Sequence, residues 1–177
     1  MAVPSREDAV RILDDGHGQI HSLVERLTEQ DFERTATIGG GDWSARDLVG
    51  HLTTWEEVAI EALEEWRAGT VPSAETDIFE IDGGIDAFNA RTVEGKRRLS
   101  GPRVRQASQR AHATLVAEIE AMSDAEWHSP APYVGARRRH LSELLGSILG
   151  APKRPFGHAF AHLGDLQAFV ESLDQPP

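Results

Sequence analysis

Apolar residues along this chain recur at three- and four-residue steps, and no stretch alternates apolar with polar positions for long, so the pattern predicts helices throughout. Val10, Leu13, Ile20, Val24 and Leu27 make one face of a first helix running from Ser5 to about Thr28. Ser5 is its expected N-cap, with Glu7 and Asp8 in the first turn, where the helix dipole favours acids. Gly16 and Gly18 each weaken this helix by about 1 kcal/mol relative to alanine. After a glycine turn at 38–41, Ser44 and Asp47 form a capping-box-like start to a second helix. It runs to about Ala68, with Gly69 as its stop, and sets Leu48, His51, Trp55, Ala62 and Trp66 on one face. Residues 69–84 are acidic and turn-rich and read as a crossover loop. A shorter helix over Ile85–Leu99 follows, and Pro102 opens a third long helix to about Met122 that buries Val104, Leu115, Val116 and Ile119. Residues 129–135 read as loop, Leu141–Leu149 as a short helix, 150–157 as a break, and about Pro155 to Leu173 as the last helix. Four long amphipathic helices with one long crossover predict an all-α four-helix bundle with short extra helices. A single domain over residues 1–177 is expected at this length.

Composition narrows the chemistry. Eighteen Lys and Arg against 29 Asp and Glu leave a net charge of −11, which argues against nucleic acid and anionic membranes as partners, because binding phosphates needs a basic surface. The first residues lack the basic and then apolar regions of a signal peptide, so a cytoplasmic protein is expected. With no cysteine, disulfides, thiolate nucleophiles and zinc–thiolate sites are excluded. Any metal site must use His, Asp or Glu.

The eight histidines are therefore the residues to weigh. His158 and His162 are spaced i, i+4 on the last helix, about 40° apart around its axis, so both imidazoles can reach one ion. Leu166, Phe169 and Leu173 continue that stripe, which turns His162 inward. His51 shares the inward stripe of the second helix. Three neutral imidazoles from two facing helices would leave an open position, as catalytic zinc-like sites do, and would suit Zn, Ni, Fe, Co or Cu rather than Ca or Mg. Spacing alone leaves a second reading open, in which the three are separately hydrogen-bonded core histidines. His17 and His21 form a competing i, i+4 pair, read as surface residues, with His17 able to reach the mouth of a central site. His112 reads as a core or pocket-lining residue. His112 and His17 are the candidates for a catalytic acid or base by face geometry. His128 and His140 read as surface residues. Trp55 and Trp66 read as core, and Trp43 as a staple at the helix start. The run Glu56, Glu57, Glu61, Glu64 and Glu65 reads as a solvated face, and Arg137-Arg138-Arg139 as a solvated loop.

The stretch Trp43-Ser44-Ala45-Arg46-Asp47-Leu48-Val49-Gly50-His51-Leu52, with Glu56 shortly after, resembles the second-helix signature of the DinB-like superfamily. It is most similar to the N-terminal metal-binding domain of mycothiol-dependent maleylpyruvate isomerases and to the ClbS/DfsB-type bundle proteins. Asp86-Ala87-Phe88-Asn89 and the helix of Ala111-His112 also look like the middle of these proteins, and the resemblance spans about Ile20 to Phe169. It implies an up-down-down-up bundle and a metal held by His51, His158 and His162; the chain departs from these relatives at Pro152 and Pro155, which interrupt the run into the last helix and put His158 in its first turn. It further implies a divalent ion as cofactor, Zn or Ni before Fe or Co, and a low-molecular-weight thiol. The implied activity is a thiol-dependent S-transferase or isomerase acting on a small-molecule electrophile. A metal-dependent hydrolase and a non-catalytic, protective small-molecule-binding bundle are the alternatives. Dimerisation is common among such look-alikes, which makes a homodimer the implied assembly.

Overall fold

The computed structural model describes residues 3–39 and 41–174. The predicted turn at 38–41 therefore lies partly outside the described residues, at Gly40. The helices, in chain order, are α1 (Arg6–Val24), α2 (Glu29–Glu33), α3 (Ala45–Arg67), α4 (Asp77–Glu80), α5 (Gly84–Lys96), α6 (Gly101–Ala121), α7 (Asp124–Trp127), α8 (Leu141–Ile148) and α9 (His158–Leu173). A 3₁₀ turn at Ser73–Glu75 precedes α4. Among the described residues there is no β-strand, only three isolated bridges.

The long helices α1, α3, α6 and α9 form the bundle, and their cross-contacts give its directions. On α1 and α9, Gly16 lies against Ala159 and Phe160, and Arg26 pairs with Asp174, so the two run parallel. On α3 and α6, Glu56 meets His112 and Arg67 meets Glu118, so these also run parallel. Between α1 and α6, Asp14 meets His112 while Val24 meets Arg105, so that pair is antiparallel. The topology is up-down-down-up. A parallel neighbour forces the chain to travel back along the bundle, which is why residues 68–100 form a long crossover carrying α4 and α5. The connection from α6 to α9 is long as well, and it carries α7 and α8. Two apolar clusters fill the interior, one around Trp55, Leu63, Leu115, Trp127 and Leu145, the other around Ile20, Phe32, Leu48, Val104 and Leu166.

The helix starts follow local chemistry. Ser5 and Ser44 each accept a hydrogen bond from the third residue of their helix, and at α3 Asp47 returns the bond to the Ser44 N–H, completing the capping box. The first helix ends at Val24 rather than Thr28, because Thr28 instead caps the short α2. The expected loop over 69–84 contains a short helix, and another lies between the third long helix and the loop at 129–135, each too brief for periodicity to reveal.

The two glycines of α1 separate by environment. A Cβ on Gly16 would stand 3.0 Å from the Ala159 Cβ and 3.2 Å from the Phe160 ring, so its lack of a side chain lets α1 and α9 approach. A Cβ on Gly18 would meet nothing within 4 Å. Gly18→Ala is therefore expected to stabilise the protein by about 1 kcal/mol through helix propensity. Gly16→Ala has the same gain opposed by overpacking worth about 1–3 kcal/mol, for a net loss. Urea unfolding of the two variants should move the midpoints in opposite directions.

Candidate metal centre

Three local devices bring the histidines together. The capped α3 start places His51 two turns along the helix, buried at 3% exposure. Asp47 also receives both Nε and Nη2 of Arg97, at 3.1 and 2.9 Å, which clamps the end of α5 to the start of α3. The break at 150–157 is a tight reversal in which Ala151 and Arg154 exchange backbone hydrogen bonds. The His158 N–H then donates to the Leu149 carbonyl at 3.0 Å, so α9 starts at His158, as the two prolines imply. Phe156 sits in this reversal with φ 61°, a left-handed conformation that strains a non-glycine residue. Its ring is buried and stacked on Trp127, which holds the strained backbone in place.

His51, His158 and His162 converge. Nε2 of His158 lies 3.1 Å from Nε2 of His51 and 3.4 Å from Nε2 of His162, and one nitrogen from each ring lies within 4.8 Å of the others. Four ligands placed tetrahedrally at zinc–nitrogen distances are about 3.3 Å apart, so these spacings fit a shared ion. The chemistry of the donors fits as well. Burial, then the neighbouring His158 and His162, pushes the His51 imidazole down to about 2. Burial, then His162, lowers His158 to about 4. Burial lowers His162 too, against the opposing charge of Asp165. All three are neutral with lone pairs available. Among the described residues, the buried Nδ1 of His51 has no hydrogen-bond partner.

The triad opens onto a cavity of about 420 Å³. Trp43 and Trp55 wall it, their rings 5.0 Å from His51 and 6.0 Å from His158. Trp43 is thus more than a staple, and Trp55 is held by donating Nε1–H to Asn89 Oδ1 at 3.1 Å. Arg137 and Arg138 also line the cavity. Buried Glu75 accepts from both of their backbone N–H groups and from the Tyr133 hydroxyl, which fixes the loop. The Arg138 guanidinium donates to Ser147 Oγ at 2.8 Å. The arginine run is a cavity wall, not only a solvated loop. Spacing offered no signal for Glu75, Asn89 or Ser147, which reach the cavity from separate elements.

A second polar cluster lies behind the triad. His112 faces Glu56 Oε1 from Nδ1 at 2.9 Å and Asp14 Oδ1 from Nε2 at 3.0 Å. Both nitrogens face carboxylates, an arrangement that favours the imidazolium, while burial raises the pKa of Glu56 against its bond to His112. Burial opposes the charge on His112, but the bonds to Glu56 and Asp14 prevail and raise its pKa. Glu56 is buried rather than solvated. Leu52, Glu56, Ala59 and Leu63 lie on one helical stripe, and that periodicity was the available sign of it. His17 and His21 are half-buried rather than on the surface. His17 stacks between His112 and His21 at 3.8 and 4.1 Å, and His21 Nε2 shares a hydrogen bond with Ser108 Oγ. Burial, then the charge on His112, lowers His17 to about 3. His17, Glu56 and His112 offer ligand atoms within 4.8 Å of one another, yet the His17 and His112 rings stack face to face and both His112 nitrogens are already engaged by carboxylates. This cluster is a charged hydrogen-bond chain, not a second metal site. His17 and His112 thus sit behind the triad and do not line the cavity in front of it. His128 is exposed, whereas His140 is half-buried and donates Nδ1–H to the His128 carbonyl.

No helix among the described residues is long and apolar enough to cross a membrane. No curated protein sequence matches the chain significantly. Two solved structures share the fold over 99% of this chain. One is the colibactin self-resistance protein ClbS in complex with a dsDNA, with TM-score 0.72, 17% identity and 100% of that chain covered. The other is an uncharacterised protein from Escherichia coli UTI89, with TM-score 0.75, 14% identity and 98% of that chain covered. The first corrects the expectation that nucleic acid is excluded, because a protein of this fold has been crystallised with a duplex. Net charge averages the whole surface, whereas a duplex meets one face of it, so −11 decides nothing about a local site. Residues 13–145 match the model of the mycothiol maleylpyruvate isomerase N-terminal domain. With three-quarters of its length inside that match and a DinB-like bundle as its fold, the chain belongs to the mycothiol maleylpyruvate isomerase N-terminal domain family.

Proposed function

We infer that this protein is a divalent-metal-dependent enzyme that uses a low-molecular-weight thiol, an S-transferase or isomerase acting on a small electrophile. The observation that carries the reading is the meeting of three neutral imidazoles at a cavity walled by two tryptophans. His51, His158 and His162 would hold the ion, and all-imidazole ligation suits Zn or Ni before Fe or Co. When bound, such an ion supplies Lewis acidity and a position at which a thiol is held as its thiolate. The chain has no cysteine of its own, so the thiol is external. Trp43 and Trp55 offer apolar faces to an organic electrophile, Asn89 fixes the plane of Trp55, and Arg138 sets a cation on the cavity wall.

A second reading, a non-catalytic protective bundle, is favoured by the likeness to a self-resistance protein, ClbS, and brings nucleic acid in as a candidate partner. Metal analysis of protein purified without a histidine tag tests the common premise. About one equivalent of divalent ion is expected in wild type and none in His162→Ala. Turnover of a thiol with small electrophiles, and not of esters or lactones, supports the lead reading. Ester or lactone turnover supports a hydrolase in its place. A metal-loaded protein inert in both assays leaves the protective binder, with duplex binding as its direct test.

A further inference from the structure

The chain of charged groups behind the triad has no role in the reading above, yet it reaches the same histidines. A small chamber of about 30 Å³ lies between the two clusters. Its wall includes His158 on one side and Glu56, His17, His21 and Ser108 on the other, with Leu13, Ile20 and Phe156 closing it. The volume suits one or two waters, and the polar lining provides the partners that a buried water needs. His158 turns Nε2 toward His51 and His162. His158 also borders the chamber, and with Nε2 turned to the other two rings, Nδ1 is its remaining polar ring atom. Glu56 is 9% exposed, with one oxygen fixed by His112 at 2.9 Å. His112 is in turn fixed by Asp14, whose side chain is 55% exposed at the protein surface.

We propose that Glu56 is a positioning residue for His158, acting through water held in this chamber and itself oriented by His112 and Asp14. The water accepts a hydrogen bond from His158 Nδ1–H and donates one to the Glu56 carboxylate. That assigns the hydrogen of His158 to Nδ1 and leaves the Nε2 lone pair for the shared ion. Carboxylates that orient metal-bound histidines in this way set both the tautomer and the basicity of the ligand. Here the carboxylate is one step removed, and its charge is balanced by an imidazolium that a single surface aspartate holds in place. The stacked His17 fits this arrangement. A neutral ring against the face of His112 excludes water from the imidazolium without adding a charge.

The inference rests on the metal reading, so its test has two independent arms. In the first, zinc affinity is measured by competition with a chromophoric chelator for wild type, Glu56→Gln and Asp14→Asn. Glu56→Gln is expected to weaken zinc binding about 10–100-fold, and Asp14→Asn to weaken it less, in the same direction. Asp14 lies at the surface, so its variant remains informative if Glu56→Gln does not fold. In the second, ¹⁵N spectra of histidine-labelled, metal-free protein report the tautomer of His158. Wild type is expected to carry the hydrogen on Nδ1, and both variants to shift population toward Nε2. Zinc affinities within twofold of wild type in both variants, or an unchanged tautomer, overturn the proposal. If wild type binds no zinc, the metal reading fails, and the tautomer alone decides whether Glu56 orients His158.

Discussion

His51→Leu is expected to move metal binding and stability in opposite directions. On the proposed metal reading, loss of the third imidazole should weaken divalent-ion binding by a larger factor than the 10–100-fold that follows loss of an outer partner. Metal-free, the same variant should be more stable than metal-free wild type. His51 buries Nδ1 with no partner, and its one polar contact is the 3.1 Å Nε2–Nε2 hydrogen bond with His158. Leaving a buried polar atom unsatisfied costs about 1–3 kcal/mol, and leucine occupies the site without that penalty. Acid enlarges the difference. The unfolded chain takes up a proton on His51 near its ordinary 6.5, whereas the folded, metal-free protein resists until about 2. The unfolded state therefore binds more protons throughout that window, and stability falls as pH falls below 6.5. Between pH 6.5 and 5 the loss is about 2 kcal/mol for an imidazole that stays neutral, and His158, lowered to about 4, adds to it. Urea unfolding of chelator-treated protein at pH 7 and pH 5 reads this directly. A His51→Leu variant less stable than wild type at both values would mean that the imidazoles are satisfied in a way these contacts do not reveal.

The second large effect lies at Asp47. Its carboxylate, 2% exposed, closes the α3 capping box and binds Arg97 through two nitrogens. Asp47→Ala leaves the Ser44 N–H without its side-chain acceptor and removes the buried partner of a guanidinium that is only 26% exposed. Arg97 keeps Asp42 and Glu94 as surface partners, so the loss of the cap and of this charge-assisted pair costs about 2–3 kcal/mol. Asp47→Asn keeps an oxygen for the cap and loses the charge, so it should fall between wild type and alanine. Arg97→Ala keeps the capping box but strands the Asp47 carboxylate, 2% exposed, with only its cap hydrogen bond, so its cost should be comparable. The denaturation midpoint should drop with an unchanged urea dependence. Because this clamp fixes the turn of α3 that leads to His51, metal affinity should fall in parallel with stability in this series. In Asp14→Asn, whose changed side chain lies at the surface, it should fall at nearly constant stability.

Helical periodicity, the serine caps, the i, i+4 spacing of His158 and His162 and the inward register of His51 are all local properties, and the sequence by itself determined them. They suffice for an all-α bundle with a candidate histidine triad. Short helices such as α4 and α7 escaped, since one turn is too brief to show a period. Glu56 reads as solvated because it stands among glutamates that do face solvent, although its stripe with Leu52, Ala59 and Leu63 marks it as inward. His17 and His21 read as surface residues because an isolated helix does not say which neighbour covers its edge. Only the tertiary structure decided that α6 supplies this cover, placing an imidazolium between Glu56 and Asp14. It also decided that Glu75, Asn89 and Arg138 reach the cavity from three separate elements. Those contacts join residues tens of positions apart, and they depend on helix packing rather than on any periodicity within one segment.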